Sequence, residues 1–560
     1  MSDGARATAR ALAPPLGAAI AVGAAALATA GRAMPGAFWD DGVYVATARA
    51  LAGGAGYRFV HLPGAPAAVH FPPLWPALLA LVLRVAPAWP ASIAWLALLN
   101  PILLALAAAL ATWWGIKRLA LPPLVAAAVS VATAATLPML VIAHTLFSEP
   151  LFLALLFAAL LTADRAVDRG GGADGALAGV VAGGAVLART AGIALVPALL
   201  LALVVARRAR AAVAAAVAAA LVVLPWQLWA ATHAHELVPS LRGSYGPYLA
   251  WVLELYQARG LGFATTVAGQ NVVSLFRTAG IALFPAVPVA VRPLLVALVI
   301  VGFAVGGIVA RRRAGAAIAF LLLYAAMVLP WPYAPERFLW AVWPLVALVA
   351  ARGAVECVHL ATRADAFRPV RAATALCATV MAGALAGHAW YTARGLDRHW
   401  WDSAARHNAE ALAPVVDWVN AHTAPGDVVA CDGEPFVHLA TGRTVVPVHI
   451  LSPDEYLAGT PIEQAAADLS ALIRENRPRW VVLSAAAGEL DAARLLDGRD
   501  GAPRLLPVAE LPGGGAAFSV DPARPGDRDP GLSSLDAASS IDRSAGAGAA
   551  ILSSPNARAR

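Results

Sequence analysis

Charge is what this chain has least of. Asp, Glu, Lys and Arg make up 13% of its 560 residues, about half the roughly 25% usual in a soluble domain. With 60% hydrophobic residues gathered in runs of spanning length, that scarcity excludes an ordinary water-soluble protein and predicts an α-helical polytopic membrane protein. Cysteine is almost missing. Cys357, Cys377 and Cys431 stand far apart with no CxxC spacing, which excludes a disulfide framework and a cysteine zinc site. No basic stripe interleaved with aromatics is present, so the net charge of +7 reads as an orientation signal and predicts no nucleic-acid partner. The sequence shows no internal repeat. The HAHE stretch of His233, His235 and Glu236 has H-x-H spacing and no further ligands in view, so no metal site is assigned. Gly513, Gly514 and Gly515 lack the strand–turn–helix setting of a dinucleotide loop.

What is present is a succession of apolar runs. Arg6 and Arg10 precede the first, at about 11–31, which reads as an uncleaved helix with its start in the cytoplasm. Further spans fall at about 91–114, 122–143, 149–163, 211–230, 293–310, 315–329, 338–351 and 372–390. Residues 175–206 are apolar but interrupted by Arg189 and Thr190. They are read as two spans with a tight outer turn, which keeps clustered Arg on the inner side throughout and gives about 11 spans. Residues 42–52 and 74–86 read as short helices, the second interfacial.

The transmembrane domain is thus expected over 1–396, with a first outer loop at 32–90 and a second at 231–292. Composition changes near Asp397. Short strands at 428–431, 444–448 and 480–484, with helices at 403–422 and 461–476, predict a small extracytoplasmic α/β domain over 397–523. Residues 524–560 read as a disordered tail.

The chemistry is expected in the first loop and at the outer helix ends. Asp40 and Asp41 follow the first span. They are read either as helix caps, which meet backbone N–H groups and the positive dipole end, or as a general base that deprotonates an acceptor hydroxyl. Arg189 and Arg337 fall on the outer side, against the positive-inside rule. They are read as snorkelling or paired side chains, Arg337 with Glu336 for instance, or as a bidentate phosphate clamp. Glu149 in SEP fits an ordinary helix opening behind Ser148. Tyr57, Arg58 and His70 lie in the first loop as lining for a sugar or phosphate, with loop packing as the alternative.

Together these motifs resemble the GT-C membrane glycosyltransferases, in particular the protein O-mannosyltransferases and the lipid A aminoarabinose transferases. The matching residues are Asp40, Asp41 and Tyr44, GAGYR at 54–58, PPLWP at 72–76, SEP at 148–150, LART at 187–190 and PERF at 335–338. The resemblance covers about residues 10–390. It implies Asp40 as the catalytic base with Asp41 second, and Tyr44, Tyr57, Arg58, His70, Glu149, Arg189 and Arg337 as substrate-binding residues. Where the family has Lys or His directly before Pro-Pro, this chain has Phe71, with His70 one residue earlier.

The implied function is inverting transfer of a hexosyl or pentosyl group from a polyprenyl-phosphate donor to a lipid, glycan or protein hydroxyl, at the periplasmic face of a bacterial plasma membrane. No cofactor is assigned, and a divalent metal stays open as an aid to the phosphate. A lipid-linked sugar transporter or flippase, or a non-catalytic scaffold, is the alternative. A transporter puts ionisable groups at mid-span, whereas an enzyme brings Asp40, Glu149, Arg189 and Arg337 together.

Overall fold

The long apolar runs form helices in a computed structural model that describes residues 3–29, 34–363, 367–452, 455–496 and 503–521. The tail expected at 524–560 lies outside the described residues. The chain divides into two units.

The first unit holds residues 1–60, 66–235 and 261–410 and is helical. Among the described residues, seven of its helices are long and apolar enough to cross a membrane, because a helix needs about 20 residues to span the hydrocarbon. Pro123–Ala134 and Leu137–His144 form an eighth candidate, bent by 56°. The bend follows from Pro138, whose missing N–H and bulky ring stop the first helix from running on. Leu74–Val85, Gly172–Ala188, Thr190–Val205 and Gly315–Val328 are apolar but shorter. The protein is a multi-pass membrane protein.

Two contacts illustrate how these helices pack. Gly172–Ala188 lies tightly on Ala209–His233. A β-carbon on Gly175 or Gly179 would come within 2.2 Å of the carbonyl oxygens of Ala211 and Ala215. Small residues four apart let the two backbones approach, which is how helices gain contact where lipid supplies no hydrophobic drive. At the other contact, Arg118 pairs with Asp164 at 3.0 Å and Asp168 at 2.5 Å. Arg208 donates to the carbonyls of Val167 and Asp168, at 2.8 and 3.0 Å, and so satisfies the end of helix Glu149–Arg169.

Much of the stretch expected as a second outer loop is helical. Tyr248–Leu283 runs as helix across a break at Gly260, whose φ of 68° suits glycine. Its Tyr, Trp and Gly content reads as loop, because half-exposed helices of mixed polarity carry no clean apolar period.

The second unit holds residues 61–65, 236–260 and 411–560. Its sheet has the order β2-β1-β3-β5-β4, built from β1 Val428–Cys431, β2 Thr444–Val446, β3 Trp480–Leu483, β4 Arg504–Leu511 and β5 Gly515–Asp521. The first three strands are parallel and buried, as their unbroken Val-rich runs require. Helices Ile462–Asn476 and Leu490–Leu496 pack on the sheet through Leu469, Ile473 and Leu496. The antiparallel hairpin β4–β5 is not foreseen from sequence. Pro507 argues against a strand, yet β4 is the sheet's outer strand, where a missing N–H costs nothing. Of the three glycines set aside as a dinucleotide loop, Gly513 and Gly514 make the hairpin turn with Pro512, at φ of 85° and 102°, and Gly515 opens β5.

Candidate active site

Four charged side chains from four separate breaks in helix meet in the first unit. Asp40 opens helix Asp40–Ala52. Glu149 opens Glu149–Arg169, after Leu146 has turned the chain at φ 55°. Arg189 is the extended residue, φ −157° and ψ 127°, between Gly172–Ala188 and the 3-10 turn Thr190–Ala194. It stands at the break that its charge announces in an otherwise apolar run. Arg337 is the second residue of Glu336–Thr362. Its approach is fixed from both sides. The Asn271 amide donates to the carbonyls of Leu329 and Trp331, each at 2.8 Å, and the Tyr324 hydroxyl donates to that of Phe338 at 2.9 Å.

Arg337 bridges the two acids. Its Nη1 lies 2.5 Å from Asp40 Oδ2, and its Nε donates to Glu149 Oε1. Arg189 Nη1 reaches the same Glu149 oxygen at 2.8 Å. Glu149 is wholly buried, while Asp40 keeps about a fifth of its side chain exposed (22%). Aromatic rings cover the cations: Arg337 lies 3.8 Å from the Phe147 ring centre and Arg189 5.3 Å from that of Phe338. Tyr44 stands behind the cluster, its hydroxyl 3.4 Å from Ser148 Oγ. Two carboxylates and two guanidiniums sum to no net charge, which is what lets four ions share an apolar setting. Pairing is nonetheless incomplete. Glu149 Oε2, Arg189 Nε and Arg337 Nη2 are buried with no hydrogen-bond partner among the described residues.

This geometry corrects two of the bland readings. Glu336 does not neutralise Arg337. Its carboxylate accepts hydrogen bonds from Ser274 and Thr278 instead. Nor is Glu149 only a helix opening, since one of its oxygens serves two guanidiniums.

The acidic pair divides. Asp40 faces Arg337, whereas Asp41 is fully buried and turns back to the loop. Asp41 Oδ2 accepts the N–H of Gly36 at 2.8 Å, and Oδ1 that of Phe38 at 3.1 Å. Burial pushes its carboxyl up to about 7, against the pull of those two N–H groups. Neither Asp caps the helix: the N-cap residue is Trp39, with no side-chain cap. Trp39 has φ 69° and ψ −66°, and the Asp40 N–H reaches over it to the Phe38 carbonyl at 2.8 Å. That is a γ-turn of positive φ, costing about 1–3 kcal/mol for a residue with a β-carbon.

The other candidates build the loop. Arg58 bridges Ala67 across a two-stranded turn, and the Tyr57 hydroxyl donates to the Phe71 carbonyl at 2.9 Å. His70 packs edge-on to Phe71 and Trp39. His233 and His235 use Nδ1 on the carbonyls of Trp229 and Thr232, ending a helix. No group of three His, Cys, Asp or Glu side chains among the described residues is arranged to hold a metal ion. The sequence reading gives the aromatic cover no role, although Phe338 ends the PERF motif and Phe147 directly precedes SEP.

The class defined by fold and site is a multi-pass membrane protein with a balanced cluster of ions at its helix ends and a small α/β unit. No family model matches the sequence, and no curated protein matches it. Similar solved structures include ArnT from Cupriavidus metallidurans bound to undecaprenyl phosphate, at 14% identity and TM-score 0.44, over 90% of this chain and 97% of that one. They also include the apo oligosaccharyltransferase of Archaeoglobus fulgidus, at 13% identity and TM-score 0.49, over 92% and 75%.

Proposed function

We propose that the protein is a GT-C-type glycosyltransferase. It moves a hexosyl or pentosyl group from a polyprenyl-phosphate donor to the hydroxyl of a lipid, glycan or protein acceptor, on the periplasmic side of a bacterial plasma membrane. The observation that carries this reading is the cluster itself: a partly exposed carboxylate held by a guanidinium that also shares a buried carboxylate with a second guanidinium, with Arg N–H groups left over. Leftover buried donors on two adjacent cations suit a phosphate, which takes parallel N–H groups.

In this mechanism the acceptor oxygen attacks the anomeric carbon while the bond from that carbon to the phosphate oxygen breaks. The electron pair leaves with polyprenyl phosphate, and Asp40 takes the acceptor's proton. Phosphate is a good leaving group, so no general acid is required. Positioning and charge stabilisation by Arg337 and Arg189 complete the catalysis. Arg337 also has a timing role. While it is bound to Asp40, the Oδ2 lone pair is engaged. A donor phosphate competes for the same guanidinium and frees that oxygen to act as base.

The test is transfer from a panel of radiolabelled polyprenyl-phosphate sugars by the purified protein in vesicles. Asp40→Asn is expected to insert normally and to lose about 10²–10⁴-fold in rate, the usual worth of a general base. Wild-type transfer by that variant overturns the assignment of the base.

A further inference from the structure

The backbone that delivers Asp40 is held in an unfavourable shape, and something must hold it there. Trp39 sits at φ 69° and ψ −66°, where a β-carbon is unwelcome. Its ring is fixed against His70 and Phe71. The carboxylate that spans the turn belongs to Asp41. It reaches back past Trp39 to Gly36 and Phe38, one backbone N–H on each oxygen, and is fully buried as it does so. The Asn408 amide donates to the Ala37 carbonyl at 2.8 Å and steadies the same segment from another helix. A carboxylate at the second position of a helix ordinarily serves the helix's own first N–H groups. Here its two hydrogen bonds run to residues before the helix, with the Gly42 N–H of the helix a smaller influence, and its neighbour Asp40 points at Arg337.

We infer that Asp41 is a positioning residue for Asp40: its carboxylate locks the strained turn at Trp39 and so sets the direction in which the base is presented. This rests on the reading of Asp40 as the base. Asp41 itself touches no reacting atom. Its two acceptor oxygens close two small rings of backbone around Trp39. Asn offers one acceptor in place of two and sets an amide N–H against a backbone N–H. The lock then opens, and the turn relaxes toward ordinary backbone.

The test is a double-mutant cycle in the full-length protein, with Asp41→Asn, Trp39→Gly and the two combined. Glycine takes positive φ freely, so a turn with Trp39→Gly needs less holding. Asp41→Asn is expected to lower kcat about 10–100-fold with donor KM within about twofold, and the same change in the Trp39→Gly background is expected to cost at least fivefold less. Backbone hydrogen exchange gives a readout independent of transfer. Asp41→Asn is expected to speed exchange at residues 36–40 at least tenfold and to leave residues 43–52 unchanged. Where Asp41→Asn alone yields no inserted protein, the double variant is compared with Trp39→Gly, and exchange at 36–40 is expected to be at least fivefold faster. Additive losses in kcat, or unchanged exchange at 36–40, overturn the inference. Wild-type transfer by Asp40→Asn, with faster exchange in Asp41→Asn, overturns the reading of the base and leaves the lock standing.

Discussion

At the scale of the residue, Glu149 decides whether the cluster holds together. Its side chain is wholly buried, and one of its oxygens serves both Arg337 and Arg189. Removing that charge leaves a guanidinium surplus in an apolar setting, a fault that typically costs about 3–5 kcal/mol. Glu149→Gln is therefore expected to lower the detergent-solubilised melting temperature by several degrees, checked by thermal unfolding of the purified protein. Charge was the legible part of this site. Asp40, Glu149, Arg189 and Arg337 draw notice because each interrupts or adjoins an apolar run where a lone ion is costly. Their pairing was not legible. Sequence proximity suggests Glu336 for Arg337, while the chain folds Asp40 and Glu149 onto it from far away. The opposed directions of Asp40 and Asp41 were hidden too, because Trp39 has none of the residue chemistry that announces a turn of positive φ.

At the scale of the element, packing between helices follows small residues more than large ones. Gly179 faces the Ala215 carbonyl so closely that a β-carbon would stand 2.2 Å from it. Gly179→Leu is expected to force Gly172–Ala188 off Ala209–His233 at a cost of about 1–3 kcal/mol or more. The check is monodispersity and melting temperature after extraction, with Gly184→Leu as the control, since a β-carbon there meets nothing within 4 Å. The break at Arg189 could be read from sequence, because a cation and a Thr within 32 apolar residues have to lie where the helix stops. The helical character of Tyr248–Leu283 and the hairpin β4–β5 could not. The first is masked by its glycines, of which Gly260 marks the break, Gly262 and Gly269 are exposed, and Gly280 is buried against Arg292. The second is masked by a proline that only an outer strand tolerates.

At the scale of the whole molecule, the two units answer to different conditions. The first is a helical body whose four-ion cluster is shielded by burial and by its own members, and that cluster is expected to respond weakly to salt. The second carries a half-buried pair, His449 Nε2 and Glu455 Oε2 at 3.3 Å. Burial works against charge on His449, but the Glu455 hydrogen bond and charge outweigh it and hold the imidazole above its ordinary 6.5. The same bond holds Glu455 below its ordinary 4.5, against the effect of burial. The raised His449 contributes stability that is full below 6.5 and lost as pH rises through its folded value. The lowered Glu455 contributes stability that is full above 4.5 and lost as pH falls through its own. The pair is thus strongest between about pH 4.5 and 6.5. Glu455→Gln is expected to speed hydrogen exchange around residues 449–458 in that window, with the difference from wild type fading as pH climbs past it.

Every member of the ion cluster hangs from an interruption: a tight turn before Asp40, a left-handed Leu146 before Glu149, an extended Arg189, a proline before the helix of Arg337. Aliphatic residues along the spans can therefore drift, Leu for Ile or Val for Ala, without shifting the reactive groups by much. Lengthening or shortening a connection by one residue moves them at once. Retargeting such a scaffold to a new substrate is a matter of exchanging junctions and leaving the columns in place.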